Sequence, residues 1–113
     1  MPIKADDVQT LHRYAEAVME RVAHHAGNVG AVALALLGAI VWRAEEGSIA
    51  IRPYGAKLGN VLHATINNRN FSFRYEHETQ EIEMRENGIA GPIIQTFTNS
   101  TALPSIETFF RSL

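Results

Sequence analysis

Three segments between Asn60 and Glu86 alternate apolar and polar side chains, and this limits the fold more than any other feature of the chain. A strand repeats every two residues, so alternate side chains share a face and a slip of one residue inverts them all. We expect strands from Asn60 to Ile66, Asn70 to Glu76 and Gln80 to Glu86. A two-residue turn at Asn68-Arg69 pairs Ile66 with Phe71, Ala64 with Phe73 and Leu62 with Tyr75. A second at Glu78-Thr79 pairs Tyr75 with Ile82 and Phe73 with Met84. Both registers leave one face apolar on all three strands, as a half-buried antiparallel sheet requires.

Such a face needs a cover. Asp6 to Ala26 reads as an amphipathic helix, because Val8, Leu11, Ala15, Val18 and Val22 recur at spacings of three and four. Met19 and Ala26 widen that stripe, and Tyr14 and His25 flank it. Asp6 with Gln9 forms a candidate capping box, and Gly27 is a candidate stop. The apolar run from Asn28 admits two readings, a short helix ended by Gly38 or a buried strand reaching Trp42. Ala31, Leu34, Ala35, Leu36 and Leu37 favour the helix, with Ile40, Val41 and Trp42 opening a strand.

The rest reads as a meander. Ala39 to Glu45 and Ser48 to Arg52 form two strands around Glu46-Gly47, with Pro53 ending the second. Tyr54 to Gly59 is a loop. Ile89 to Thr98 is the last strand, and Gly91-Pro92 marks it as an edge or a bulge. Pro104 to Ser112 is a short helix with Ile106, Phe109 and Phe110 facing inward. The expected fold is one α+β domain spanning residues 1–113: an N-terminal amphipathic helix plus a short second helix on a five- or six-stranded, mainly antiparallel meander sheet, then a short C-terminal helix.

Composition narrows the function classes. A chain of 113 residues with 46% hydrophobic and 19% charged residues fits one globular core. It has no cysteine, which excludes disulfides, thiolate nucleophiles and cysteine-ligated zinc and suits a cytoplasmic protein. The first seven residues lack the apolar core of a signal peptide, and Val29 to Trp42 is shorter than the roughly 20 residues of a membrane span. Net charge is −2, with no general pull toward nucleic acid. Gly47 to Tyr75, however, holds no acid while Arg52, Lys57, Arg69 and Arg74 add four positive charges.

Three constellations follow. The expected registers put His63, Arg74 and Glu83 in one row on the polar sheet face. That row suits anion binding or proton transfer, and equally a plain solvated face with a cross-strand Arg–Glu pair. His12, Glu16, Glu20 and His24 have helical spacing fit for a metal, but no second-shell partner is evident, so a solvated face is expected and no metal or cofactor is assigned. The acid-free stretch mixes cations with Tyr54, Phe71, Phe73 and Tyr75, as nucleic-acid surfaces do. Arg69 to Tyr75 echoes the aromatic strand of an RNA-recognition motif but lacks its glycines, and register turns its rings toward the core. That argues against nucleic acid.

The segments Leu36-Leu37-Gly38-Ala39-Ile40-Val41-Trp42-Arg43, His77-Glu78-Thr79-Gln80-Glu81-Ile82-Glu83-Met84-Arg85, and Phe97-Thr98-Asn99-Ser100-Thr101 through Phe109-Phe110 resemble uncharacterised proteins encoded by integron gene cassettes. The similarity spans about Val18 to Leu113. It implies a small protein, often an oligomer, and supplies no catalytic residue.

The functional expectation is a non-catalytic binding module holding a small organic ligand or a protein partner. We expect a homo-oligomer, a dimer by preference, because the run from Val29 to Trp42 exceeds what one small monomer readily hides. Tyr14, His25, Trp42 and Tyr75 are the candidate ligand pocket between helix and sheet. The alternatives are a small enzyme using His25 or His63 as general base, and anion or RNA binding through residues 47–75.

Overall fold

The computed structural model describes residues 6–24, 28–54, 57–76 and 78–113, and their side chains except at 6–7, 21–24, 52–54 and 57–60. Helices α1 (Asp6–His24) and α2 (Gly30–Arg43) precede strands β1 (Ala50–Tyr54), β2 (Lys57–Ile66), β3 (Arg69–Glu76), β4 (Glu81–Glu86) and β5 (Ile93–Phe97), and α3 (Leu103–Ser112) closes the chain. The sheet is a five-stranded antiparallel meander in the order β1-β2-β3-β4-β5. The α+β architecture read from the sequence is the one observed.

The core forms where the alternation requires it. Leu62, Ala64, Ile66, Phe71, Phe73, Met84 and Phe97 are buried on one sheet face. Leu11, Val32, Leu36, Ile40, Ile106 and Phe110 from the three helices join the same cluster. Phe110 is its hub, stacked on Phe73 at 6.3 Å and edge-on to Phe109 at 5.7 Å. Phe73 pairs with Met84 and Tyr75 with Ile82, the register expected for β3 and β4.

The β2–β3 register differs. Ala64 pairs with Phe71 and Leu62 with Phe73, because the turn lies at Asn67-Asn68 and not at Asn68-Arg69. Both turn residues have positive φ, 51° and 63°. A two-residue hairpin turn of this hand needs left-handed backbone at both centres, which asparagine tolerates and arginine resists. The shift is two residues, so the faces are preserved while the neighbours change.

The larger correction lies at α2. The helix does not stop at Gly38 but runs through it to Arg43, so Ala39 to Glu45 is not a strand. Buried Val32, Ala33, Leu36 and Ile40 recur at helical spacing, and their burial outweighs the roughly 1 kcal/mol that an internal glycine costs and the strand preference of Ile40 and Val41. The Glu46-Gly47 turn therefore joins helix to strand. The N-cap is Val29, one residue after Asn28, whose amide donates to the Gln80 carbonyl (3.2 Å), while Asn99 Oδ1 accepts the Val32 N–H (3.0 Å).

Smaller departures follow from edge chemistry. Lys57 to Gly59 belong to β2 and not to a loop, and Tyr54 pairs with Lys57. Pro53 sits inside β1, beside a register irregularity, as an edge strand permits. The last strand starts at Ile93, and its register with β4 shifts at Met84/Arg85, in keeping with the bulge and edge expected from Gly91-Pro92. In α1, Leu11 is buried and Tyr14 packs on the core, whereas Val8 and Met19 are exposed. The Asp6 cap and the ends of the stripe at Val22, Ala26 and Gly27 fall outside the described side chains.

Phe110 supplies the direct test. Phe110→Ala is expected to lower unfolding free energy by about 3–5 kcal/mol in urea denaturation, because the hub leaves a cavity among three other rings. Thr108→Ala, on the exposed side of the same helix, should change it little.

Candidate functional site

The sheet face away from the helices carries the polar side chains, and the observed registers arrange them in rows. One row runs Val61, Arg74, Glu83, Thr96 and the next runs Ala50, His63, Ser72, Arg85. Arg74 and Glu83 are paired as expected, but His63 is not in their row. The two-residue shift at the β2–β3 turn moves it opposite Ser72.

Charges on this face neutralise one another. Arg74 Nη2 lies 2.8 Å from Glu76 Oε2 and 3.7 Å from Glu83 Oε1. Arg85 Nη2 reaches the same Glu83 oxygen at 3.1 Å and its Nη1 donates to the Gly91 carbonyl at 2.8 Å. On this face Glu83 is buried and Ser72 is only 1% exposed. The acid-free stretch in the sequence is therefore not acid-free in space. Arg69 closes onto Glu86 through two bonds of 2.8 and 2.9 Å, and Arg74 is held by Glu76 and Glu83. The side chains of Arg52 and Lys57 lie outside the described ones.

Above the His63 row the same face opens into a cleft of about 500 Å³, lined by Ser48, His63, Thr65, Asn70, Asn87 and Gly88 with Ala64 and Phe71 at its floor. The turn after α2 builds one wall. Glu45 N–H donates to the Thr65 carbonyl at 2.8 Å, and Ser48 Oγ accepts the Thr65 N–H at 3.2 Å. Thr65 Oγ1 donates to Asn70 Oδ1 at 3.0 Å, and Asn87 N–H donates to the Asn70 carbonyl at 2.9 Å. Asn87 has φ +65° and Gly88 φ +98°, the left-handed backbone that the β4–β5 turn requires. Sequence reasoning found His63 but missed Ser48, Asn70 and Asn87. The Asn67-Asn68 turn was the available signal, since it sets Thr65 opposite Asn70.

The other nominated residues are dispersed. Tyr14 and Tyr75 are partly buried against the helix–sheet core. Trp42 is 49% exposed, because the continuing helix carries it outward, where Arg43 and Arg111 guanidiniums stand 5.7 and 5.2 Å from its ring centre. His25 lies outside the described residues, as does the side chain of His24. His12 and Glu16 form an exposed pair at 2.6 Å. Among the described residues no three His, Asp or Glu side chains converge as a metal site, and no helix is long and apolar enough to cross a membrane.

Fold and face together define a small α+β domain with three helices on one side of a meander sheet and a charge-balanced polar surface on the other. The chain belongs to an integron cassette protein family: the family model described as integron cassette protein VCH_CASS1 chain matches residues 11–107. No curated protein matches the sequence.

The Arg69–Glu86 pair has a definite pH signature. Hydrogen bonds from Arg69 hold the Glu86 carboxyl below the ordinary carboxylate range; burial opposes them in part, and the Arg69 charge adds a smaller lowering. A carboxyl depressed in the folded state stabilises above its unfolded value near pH ~4.3, and that contribution fades as pH falls through the folded value. Carboxyl-carbon NMR titration should place the Glu86 midpoint below ~4.3, and Arg69→Met should return it to that range.

Proposed function

We propose that this protein is a non-catalytic binding module holding a small, uncharged, hydrogen-bonding organic molecule in the cleft on the outer sheet face. The carrying observation is a lining that offers an imidazole, hydroxyls and amides but no formal charge. The neighbouring charges are engaged: Arg69 with Glu86, Arg74 and Arg85 with Glu76 and Glu83, and the Glu45 carboxylate with the Asn68 N–H. An anion entering here meets no uncommitted guanidinium among the described side chains, which weighs against anion or RNA binding. The Phe71 ring is buried on the core side, so a nucleobase gains no stacking platform from it. What remains open is amide chemistry. Asn70 uses Oδ1 for Thr65, and among the described residues its Nδ2 and the Asn87 side-chain amide have no partner.

The same geometry weighs against a general-base enzyme at His63. Ser72, the hydroxyl directly opposite, is buried. Ser48 and Thr65 hydroxyls are already engaged with the Thr65 backbone and Asn70. A nucleophile–base pair needs a hydroxyl that is both reachable and within hydrogen-bond distance of the imidazole. A cysteine-free chain suits the reducing cytoplasm, where we place this module.

Matched sugars test the reading: glucose as neutral probe, glucuronate as anion and glucosamine as cation, followed by amide-resolved NMR at millimolar concentration. Glucose is expected to shift the Asn70 and Asn87 side-chain amides more than either charged analogue. Asn87→Gly keeps the positive φ and removes the amide, and should weaken glucose binding by about tenfold, the worth of one shielded hydrogen bond. No shift with glucose, tighter binding of a charged analogue, or an unaffected Asn87→Gly variant would each reject the proposal.

A further inference from the structure

The hydrogen-bonding groups left unused in the cleft are lopsided. Ser48 Oγ is engaged twice, accepting the Thr65 N–H at 3.2 Å and donating to the Thr65 carbonyl at 3.4 Å. Thr65 Oγ1 gives its proton to Asn70 Oδ1 at 3.0 Å. Among the described residues, Asn70 Nδ2 and both ends of the Asn87 carboxamide then have no partner. Each Nδ2 carries two N–H donors, whereas Asn87 Oδ1 is the wholly unused acceptor of the two side chains. The two residues also stand together. Phe71 pairs with Glu86, and the Asn87 N–H donates to the Asn70 carbonyl at 2.9 Å, so the ladder extends one step and sets Asn70 opposite Asn87. Opposed residues carry their Cβ atoms roughly 5 Å apart, within reach of one small ligand. Both line the cleft, above a floor of Ala64 and Phe71.

We infer that the cleft recognises a cis-amide edge, a carbonyl oxygen beside an N–H on the same side of the ligand, as in a lactam, a cyclic ureide or a primary carboxamide. Such an edge belongs to the neutral ligand class proposed above and rests on that reading. The Asn87 carboxamide makes two parallel hydrogen bonds with it, Nδ2 donating to the ligand carbonyl and Oδ1 accepting the ligand N–H. A carbonyl oxygen has a second lone pair, which Asn70 Nδ2 fills from the opposing strand. The Thr65 hydroxyl fixes the Asn70 carboxamide by its bond to Oδ1, so the nitrogen and not the oxygen is left for the ligand. A trans secondary amide points its N–H away from its carbonyl and loses one of the Asn87 bonds. A carboxylate offers oxygens only and sets one of them against Asn87 Oδ1, an acceptor facing an acceptor.

The probes are 2-pyrrolidinone, its N-methyl derivative and glucose, titrated into wild type and Asn70→Asp and followed by NMR of the side-chain amides. In wild type, 2-pyrrolidinone is expected to shift both the Asn70 and Asn87 amides. N-methylation should weaken binding at least about tenfold, since it removes one hydrogen bond and sets a methyl group against Asn87 Oδ1. Asn70→Asp keeps the acceptor for Thr65 and removes the free donors. Read at the Asn87 amide, it should weaken 2-pyrrolidinone at least about tenfold and glucose less, because sugar hydroxyls donate to a carboxylate. The comparison of the two lactams uses wild type alone and needs no variant to fold. An N-methyl derivative that binds as tightly as its parent, or an Asn70→Asp variant with unchanged 2-pyrrolidinone affinity, overturns the inference. Glucose shifts with none from 2-pyrrolidinone also overturn it and leave the neutral-ligand reading standing, whereas silence from both rejects the two together.

Discussion

The fold rests on aromatic closure between one sheet face and three helices. Phe71, Phe73 and Phe97 on the sheet are covered by Phe110 and Ile106 of α3 and by Leu36 and Ile40 of α2. No disulfide supplements that contact, so burial of these side chains carries the stability and fixes which side of each strand faces water. Every polar feature of the outer face follows from it by the two-residue period of the strands.

The outer face then poses an electrostatic problem that the sheet solves locally. Cations and acids separated in sequence become cross-strand neighbours, and Glu76, Arg74, Glu83 and Arg85 form a continuous neutral chain of ion pairs. Such pairs add little stability individually. Their larger effect is on function, since they leave the adjoining cleft with neutral groups only. Specificity in such a place comes from hydrogen-bond geometry, which the Asn87-Gly88 turn and the Ser48–Thr65–Asn70 bonds hold in position.

The alternation in β2, β3 and β4 is local information, and it determined the antiparallel sheet, its buried face and the amphipathic helix that covers it. It also determined the β3–β4 register and the C-terminal helix with Ile106 and Phe110 inward. The partial site was legible for the same reason: His63, Arg74 and Glu83 do share the outer face. The row they occupy was not legible, because it depends on which two asparagine-rich positions accept positive φ, and a shift of two leaves the hydrophobic pattern unchanged.

Tertiary structure alone decided α2. An apolar run around a glycine has no periodic contrast, so helix and strand compete on similar terms until neighbouring elements bury one side. Packing of Val32, Leu36 and Ile40 carried the helix through Gly38 and turned Trp42 outward, which separated it from Tyr14 and Tyr75 as a matter of burial. The cleft was legible only at the Asn67-Asn68 turn, which sets Thr65 opposite Asn70; Ser48 and Asn87 come from segments that only the folded sheet brings alongside. Sequence fixes which side chains share a strand face; the way distant turns meet depends on long-range pairing, which no local pattern encodes.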